Sequence, residues 1–394
     1  MIIVEKHIIK ENHKFFKECD NLSFLSKNLY NQGLYNVRQH FFENEKYLNY
    51  NDNYHISKNQ DSYKELPTKV ACQTLKMIDV NFKSFFSLLK NKNIKNKIPS
   101  YLKKDGRYLV KFPKQSLSIK EFKKTGKIKL SKTNIIINTK ITNFNNIKEV
   151  RIIHRNMFYV IEIVHERKEK EIKNNNIISS IDPGMNNLST ISFNNGNKPF
   201  IMNGRPLKSI NHFYNKKLSF LKSELELKQK RKKSKRIIKI TNKRNNKIND
   251  YLHKSSRKLV NLLVLNGVST LIIGKNTSMK QDINLGKKTN QNFVQLPLFK
   301  YLDMICYKSK LEGIKVIFQE ENYTSKCSFL DLETIQKHDK YKGKRIKRGL
   351  FESSTGELIN ADVNGSLNIM IKAIPNIFID GIKGVGVHPF KLNV

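Results

Sequence analysis

The first ten residues, MIIVEKHIIK, alternate apolar and polar side chains closely enough to predict a strand. From 14 to 96 the spacing becomes helical. Leu22, Leu25 and Leu29 follow helical steps, and Ala71, Leu75, Ile78, Phe82, Phe85 and Leu89 fall on one stripe of a single helix. Between them the polar stretch at 47–65, YLNYNDNYHISKNQDSYKE, reads as a solvated connection or as a nucleic-acid-facing loop whose aromatics stack on bases. From 101 to 164 short β-like runs follow one another: RYLVKF, SLSIK, KIKL, NIIIN, EVRIIH and MFYVIEIV. Turn signals separate them at 104–106, at Thr125-Gly126 and at Arg155-Asn156. This spacing predicts a small antiparallel β-barrel, closed by the strand at 1–10 and interrupted by the helical stretch.

A charged connection, HERKEKEIKNNN at 165–176, marks the expected domain boundary. Beyond it a β-branched run ends in Asp182, Pro183-Gly184 breaks the chain, and a second strand runs from Leu188 to Phe193. A third strand near 198–202 leads into a long basic helical region at about 207–265. TLIIGKN at 270–276 reads as a buried strand, 298–311 as a helix, and IKVIFQEE at 314–321 as another strand. The segment 326–357 is turn-rich and basic. In LINADVNGSLNIMIKA, Asn360 is a helix cap, Asp362 falls in the first turn, and Leu367, Ile369, Met370 and Ala373 form an apolar face.

Charge fixes the class of partner. The 394 residues carry a formal net charge of +41, spread along the chain, which predicts a polyanion partner and makes nucleic acid the default. A ribosomal or structural RNA binder would explain the charge but needs no buried carboxylates. No apolar run approaches the 18 residues of a membrane span and no signal-peptide pattern opens the chain, so a cytoplasmic, nucleoid-associated protein without membrane contact is expected. Cys19, Cys72, Cys306 and Cys327 are far apart, as reduced thiols would be. The run at 228–236, KQKRKKSKR, offers Lys230, Arg231, Lys232, Lys233, Lys235 and Arg236 as phosphate-tracking residues or as a plain solvated face.

Asp182 at the end of a buried strand costs desolvation unless a cation or donor meets it. Together with the downstream acid it forms a recognisable pattern: IDPGMNNLST and NADVNGSLNI resemble the first and third acidic motifs of the RuvC-like domain in the transposon-encoded TnpB (OrfB) proteins, relatives of type V CRISPR effectors. ENYTSKCSFLD at 321–331 resembles a third block of that family. The resemblance implies an α/β RNase H-like (RuvC) nuclease core plus a small antiparallel β-barrel with a helical insertion, and the strand and helix order of the second half agrees. It implies 1–13 and 98–170 as the wedge-like barrel, 14–97 as a helical recognition lobe, and 171–325 as the core with its basic insertion at 203–265. The segment 326–357 is then a degenerate zinc-ribbon-like loop, 358–380 the end of the core and 381–394 a flexible tail. The implied activity is RNA-guided DNA endonuclease, with guide RNA and target DNA as partners and a short flanking motif read by the protein. A regulator that no longer cuts, or a transposon-associated DNA-binding protein acting without RNA, is the alternative.

Two-metal hydrolysis of a phosphodiester needs clustered carboxylates holding hard cations about 4 Å apart, and two magnesium ions suit such oxygen ligands. Asp182 and Asp362 supply two acids. Relatives place a Glu at the end of the strand that here reads LIIGKN, where this chain has Gly274. Glu320 and Glu321 end the strand expected beside it, and because consecutive residues face opposite ways only one can serve. Glu321 is the preferred third metal-binding and catalytic acid because it abuts the NYTSK block; Glu320 is the alternative. Where many relatives carry a four-cysteine ribbon only Cys327 remains, near Asp331 and His338, so no structural zinc is expected and packing should hold the loop.

Overall fold

Whether the alternating runs close on one another or stay open decides the shape of the first half. The computed structural model describes residues 1–90, 97–229, 234–276, 286, 290–291, 294–379, 381–382 and 384–394. It divides into two units, Met1–Arg167 and Lys168–Val394.

In the first unit the chain runs β1 (Ile2–Lys10), α1 (Phe16–Asn44), α2 (Tyr50–Ser57), α3 (Asp61–Lys64) and α4 (Thr68–Leu89). It continues through β2 (Val110–Pro113), α5 (Ile119–Thr125), β3 (Lys127–Lys129), β4 (Ile136–Asn138), β5 (Ile147–Arg155) and β6 (Phe158–Glu166). The N-terminal strand does join the later ones, antiparallel to β6 with Ile2 opposite Glu166. The sheet order β1-β6-β5-β2 is open, with β3 and β4 paired only to each other, so among the described residues the ladder closes no barrel. One expected strand is missing because SLSIK turns helical. Ser118 caps α5 by accepting from Glu121 N at 3.2 Å, a serine-to-glutamate capping spacing that overrides the β-like run.

The helices between β1 and β2 bury most of the expected stripe: Ala71, Leu75, Ile78 and Phe82 are fully buried on α4 and Phe85 is partly buried, but Leu89 at its end is exposed. The stretch at 47–65 is neither of the loops its polarity suggests. Asn49 caps α2 through Asn51 N and Asp52 N, and Tyr47 packs on Phe82 and Phe86 while Tyr54 meets the buried Tyr63 edge-on. Its tyrosines serve the core.

In the second unit β7 (Ile178–Pro183), β8 (Asn187–Phe193) and β9 (Phe200–Asn203) form an antiparallel meander. Two long helices, α6 (Arg205–Gln229) and α7 (Lys235–Leu265), follow. Then come β10 (Thr270–Lys275), α8 (Leu298–Leu311), β11 (Lys315–Glu320), the short strands β12 (Lys344–Lys347), β13 (Leu350–Glu352) and β14 (Leu358–Ile359), α9 (Ala361–Ala373) and β15 (Phe390–Leu392). The main sheet has the order β11-β10-β7-β8-β9-β15, with β10 parallel to β7 and β11 parallel to β10.

Both faces of this sheet are covered. Leu271 and Ile273 of β10 join the core built with Leu252, Leu259 and Val260 of α7 and Tyr301 and Ile305 of α8. Ile272 between them joins Val363, Leu367, Ile369 and Met370 of α9 on the other side, as the two-residue period of a strand requires. The tail expected to be flexible ends in β15, parallel to β9, with Phe390 against Phe200 and Asn393 bonded to Asn203 and Lys258. Backbone pairing and a ring contact thus tie residues 390–393 to the sheet. Among the described residues no helix is long and apolar enough to cross a membrane.

Candidate functional site

β7 delivers Asp182 to one end of the sheet, opposite Thr190 of β8. α9 delivers Asp362 to the same place. Its cap is Asn360, whose Oδ1 accepts from Asp362 N at 3.0 Å and Val363 N at 3.2 Å. The helix comes close to β7 because residue 365 is glycine: a Cβ there would stand 3.0 Å from Asp182 Oδ2. Ser180 Oγ donates to Ser366 O at 2.6 Å and Ser366 Oγ donates to Ser180 O at 3.0 Å, which docks α9 on β7 with both serine hydroxyls satisfied.

Glu321 follows β11, and β11 lies beside β10 with Glu320 opposite Lys275. The next turn aims it. Thr324 Oγ1 donates to Glu321 O at 2.8 Å, Asn368 of α9 donates to Thr324 O and Cys327 O, and Asn364 donates to Cys327 O at 2.9 Å. The loop after Glu321 is therefore tied to the helix that carries Asp362. The Glu321 side chain lies over Gly274, whose missing Cβ would stand 2.6 Å from Glu321 Oε1. Glu320 instead is exposed and accepts from Asn322 Nδ2 at 2.9 Å.

The electrostatics match this convergence. Burial, and then the Glu321 and Asp362 carboxylates, drive the Asp182 carboxyl well above the usual carboxylate range, while Arg345 pulls the other way. Burial pushes Glu321 up to about 7. Its Oε1 is buried without a hydrogen-bond partner. Asp362 is better served: Asn187 Nδ2 donates to its Oδ2 at 2.5 Å and Arg345 Nη2 stands 3.6 Å from its Oδ1. Among the described residues no three His, Cys, Asp or Glu side chains already close on one ion. The chemistry of the donors still suits a hard cation, since one would relieve both an unpartnered buried carboxylate oxygen and a carboxyl that burial and two neighbouring acids push upward.

Asp182 and Asp362 open into a cavity of about 1000 Å³ that Arg205, Arg345 and Arg348 also line. Sequence reasoning missed Asn187, Arg345 and Gly365. The asparagine sits inside a quoted motif but gives no signal until the hairpin folds, and the arginine lies in a run of interchangeable basic residues.

The candidate zinc ligands each have another partner. Cys327 Sγ faces Thr334 O and Gln336 O, His338 Nε2 bonds Thr334 O at 2.7 Å, and Asp331 accepts from Ser354 N at 3.0 Å. The buried Glu333 carboxylate joins the two ends of this loop, accepting from Ser328 N at 2.8 Å and Lys342 N at 2.9 Å. Of the basic run, Lys230, Arg231, Lys232 and Lys233 lie outside the described residues, and Lys235 and Arg236 are exposed in the first turn of α7.

Two family models match the chain from β6 onward. One, OrfB_IS605, described as a probable transposase, covers residues 158–280, and the Cas12f1-like TNB domain covers 299–369. The CRISPR-associated endodeoxyribonuclease Cas12f2 of Micrarchaeota archaeon (strain CG1_02_47_40) is 30% identical over 191 residues, which are 45% of this chain and 32% of that protein. The match thus spans about a third of the relative. A solved Cas12f1–sgRNA–target DNA complex superposes with a TM-score of 0.57 at 17% identity, covering 90% of this chain and 82% of the other, and this likeness is one of fold. The mini-RNA-guided endonuclease CRISPR-Cas_phi3 covers 99% of this chain and 93% of its own at 11% identity and a TM-score of 0.46. The two family models and the Cas12f2 match bear out the resemblance to TnpB-type and type V proteins read from the acidic motifs.

Proposed function

We propose that this chain is an RNA-guided DNA endonuclease whose RuvC-like centre holds magnesium through Asp182, Glu321 and Asp362. The observation that carries this reading is Glu321 Oε1, buried and unpartnered beside a second carboxylate that burial has forced upward. Such an arrangement is costly in a protein that only binds, and it is relieved when a cation arrives. Bound magnesium would activate water and stabilise the leaving oxygen of the phosphodiester.

The chain's own groups do the rest. Asn187 fixes the orientation of Asp362, and the asparagines of α9 fix the loop that orients Glu321. Arg205, Arg345 and Arg348 give the cavity a cationic wall that a phosphodiester backbone would neutralise. Guide RNA would supply sequence choice, while the net charge of +41 supplies backbone attraction.

The test is reconstitution with the RNA that copurifies and a matched DNA duplex. Cleavage should require magnesium and vanish in Asp182→Ala and Glu321→Gln, but survive in Glu320→Gln. Tight target binding without cleavage at any metal concentration would favour a regulator, and the absence of any copurifying RNA would favour a transposon protein that acts on DNA alone.

A further inference from the structure

The stripe of α6 that begins at the acid-lined cavity does not end there. Arg205 lines the cavity, and Ser209, Phe213 and Lys217 follow at steps of four on one side of the helix. Those three border a groove of about 360 Å³ between α6 and α7, whose other wall carries Lys243, Arg244 and Lys247. From Arg205 to Lys217 the helix rises about 18 Å.

The floor of this groove is built and its rim is free. Arg244 stacks on Tyr214 at 5.6 Å and is held by Asn211 Oδ1 at 2.8 Å and Gln295 O at 3.1 Å, while the Tyr214 hydroxyl bonds Thr241 at 3.1 Å. Phe213 is 68% exposed, which costs hydrophobic free energy unless something covers it. Lys217 stands 5.8 Å from its ring centre, and among the described residues Lys217, Lys243 and Lys247 make no ion pair. An exposed ring flanked by unpaired ammonium groups over a rigid floor is the arrangement that stacks one base and neutralises the phosphates on either side.

We infer that the groove between α6 and α7 binds an unpaired stretch of DNA, stacked on Phe213 and held by Lys217, Lys243 and Lys247, as the continuation of the strand that enters the cavity at Arg205. The inference rests on the nuclease reading for the choice of DNA and of strand. Charge complementarity and continuity along one face of α6 favour this occupant over a second protein copy, whose own net charge is also +41.

The chain contains no tryptophan, so Phe213→Trp gives a lone reporter at the groove. The full-length variant is titrated with single-stranded thymidylate 12-mer and, separately, uridylate 12-mer, reading both tryptophan emission and anisotropy of the labelled oligonucleotide. The inference expects emission to be quenched in step with DNA binding. Replacing Lys217, Lys243 and Lys247 with alanine in the reporter background should weaken the quenched complex about tenfold or more and lower its salt slope by about 2. Anisotropy showing DNA binding with unchanged emission overturns it, as does quenching by RNA alone. Emission that follows protein concentration and ignores DNA identifies a second copy as the occupant and also overturns it. Because quenching needs no cleavage, the reporter is read again with Asp182→Asn added: unchanged quenching there, in a chain that cuts nothing, keeps the groove separate from the nuclease centre. Cleavage by the wild type, with no quenching of the Phe213→Trp reporter by DNA, would sink the groove and leave the nuclease standing.

Discussion

Glu321 and Gly274 occupy one space. The carboxylate of the first fills the volume that a side chain on the second would need, with Oε1 2.6 Å and Cγ 3.0 Å from the Cβ that glycine lacks. Two strand ends thus share one space, and this chain fills it with the carboxylate that comes just after β11.

A swap should therefore work where an addition fails. Gly274→Glu alone crowds Glu321 and Ile369, whose Cδ1 would lie 2.7 Å from the new Cβ, and cleavage should fall about tenfold or more. Glu321→Gln alone should reduce it to below about a thousandth of wild type. Joining Gly274→Glu to Glu321→Ala should recover part of the loss in single-turnover cleavage. No recovery together with full activity of Glu321→Gln would place the third acid elsewhere.

Asn187 holds Asp362 through one hydrogen bond, and on the nuclease reading it is a positioning residue. Asn187→Ala should raise the magnesium concentration for half-maximal cleavage about tenfold, the cost usual for a lost partner of a metal ligand, and leave the rate at saturating magnesium much less changed. A magnesium titration of the variant separates this from simple unfolding.

The metal-free chain should lose stability as pH rises from about 4.5 to about 7. The folded chain holds the Glu321 proton up to about 7, whereas the unfolded chain releases it near the ordinary glutamate value of 4.5. Unfolding is therefore favoured as pH passes between these values, and the loss is complete above the higher one. Its ceiling is about 3 kcal/mol, and Asp182 adds in the same direction. The lowered carboxyls of Asp20, Asp79, Glu312 and Asp331 give the opposite slope but act at lower pH. Urea melts of wild type and Glu321→Gln across this range test it: the wild type should show the steeper fall, and magnesium at pH 8 should restore the difference. Identical profiles would refute it.

Glu333 should matter to the basic loop as a metal would. Glu333→Ala leaves the Ser328 and Lys342 amides without their acceptor, a cost of roughly 2–4 kcal/mol, visible as faster proteolysis within 326–357. Chelators should leave this loop unchanged, and purified protein should carry no zinc in proportion to chain. One tightly held zinc per molecule would overturn the reading.

Much of this was legible because it depends on short-range pattern. The β-branched run before Asp182, the cap at Asn360 and the buried TLIIG strand each specify an element from neighbouring residues alone, and the strand order brings β11 beside β10. What failed depended on partners distant in sequence. The tyrosines of 47–65 look solvated until Phe82 and Phe86 arrive, and the C-terminal Phe390 has no pattern until Phe200 meets it. SLSIK is a different failure, since its capping signal was local and a β-like run masked it. Arg345 could not be chosen among neighbouring cations without the fold.

The loop after Glu321 hangs from Asn364 and Asn368, and the same helix bears Asp362. Two acids of three thus share a single support, so lifting α9 from the sheet withdraws both at once. On the nuclease reading the centre is armed or disarmed as a whole, which acts as a safety catch: a loosened molecule does not linger half-competent and nick DNA at random.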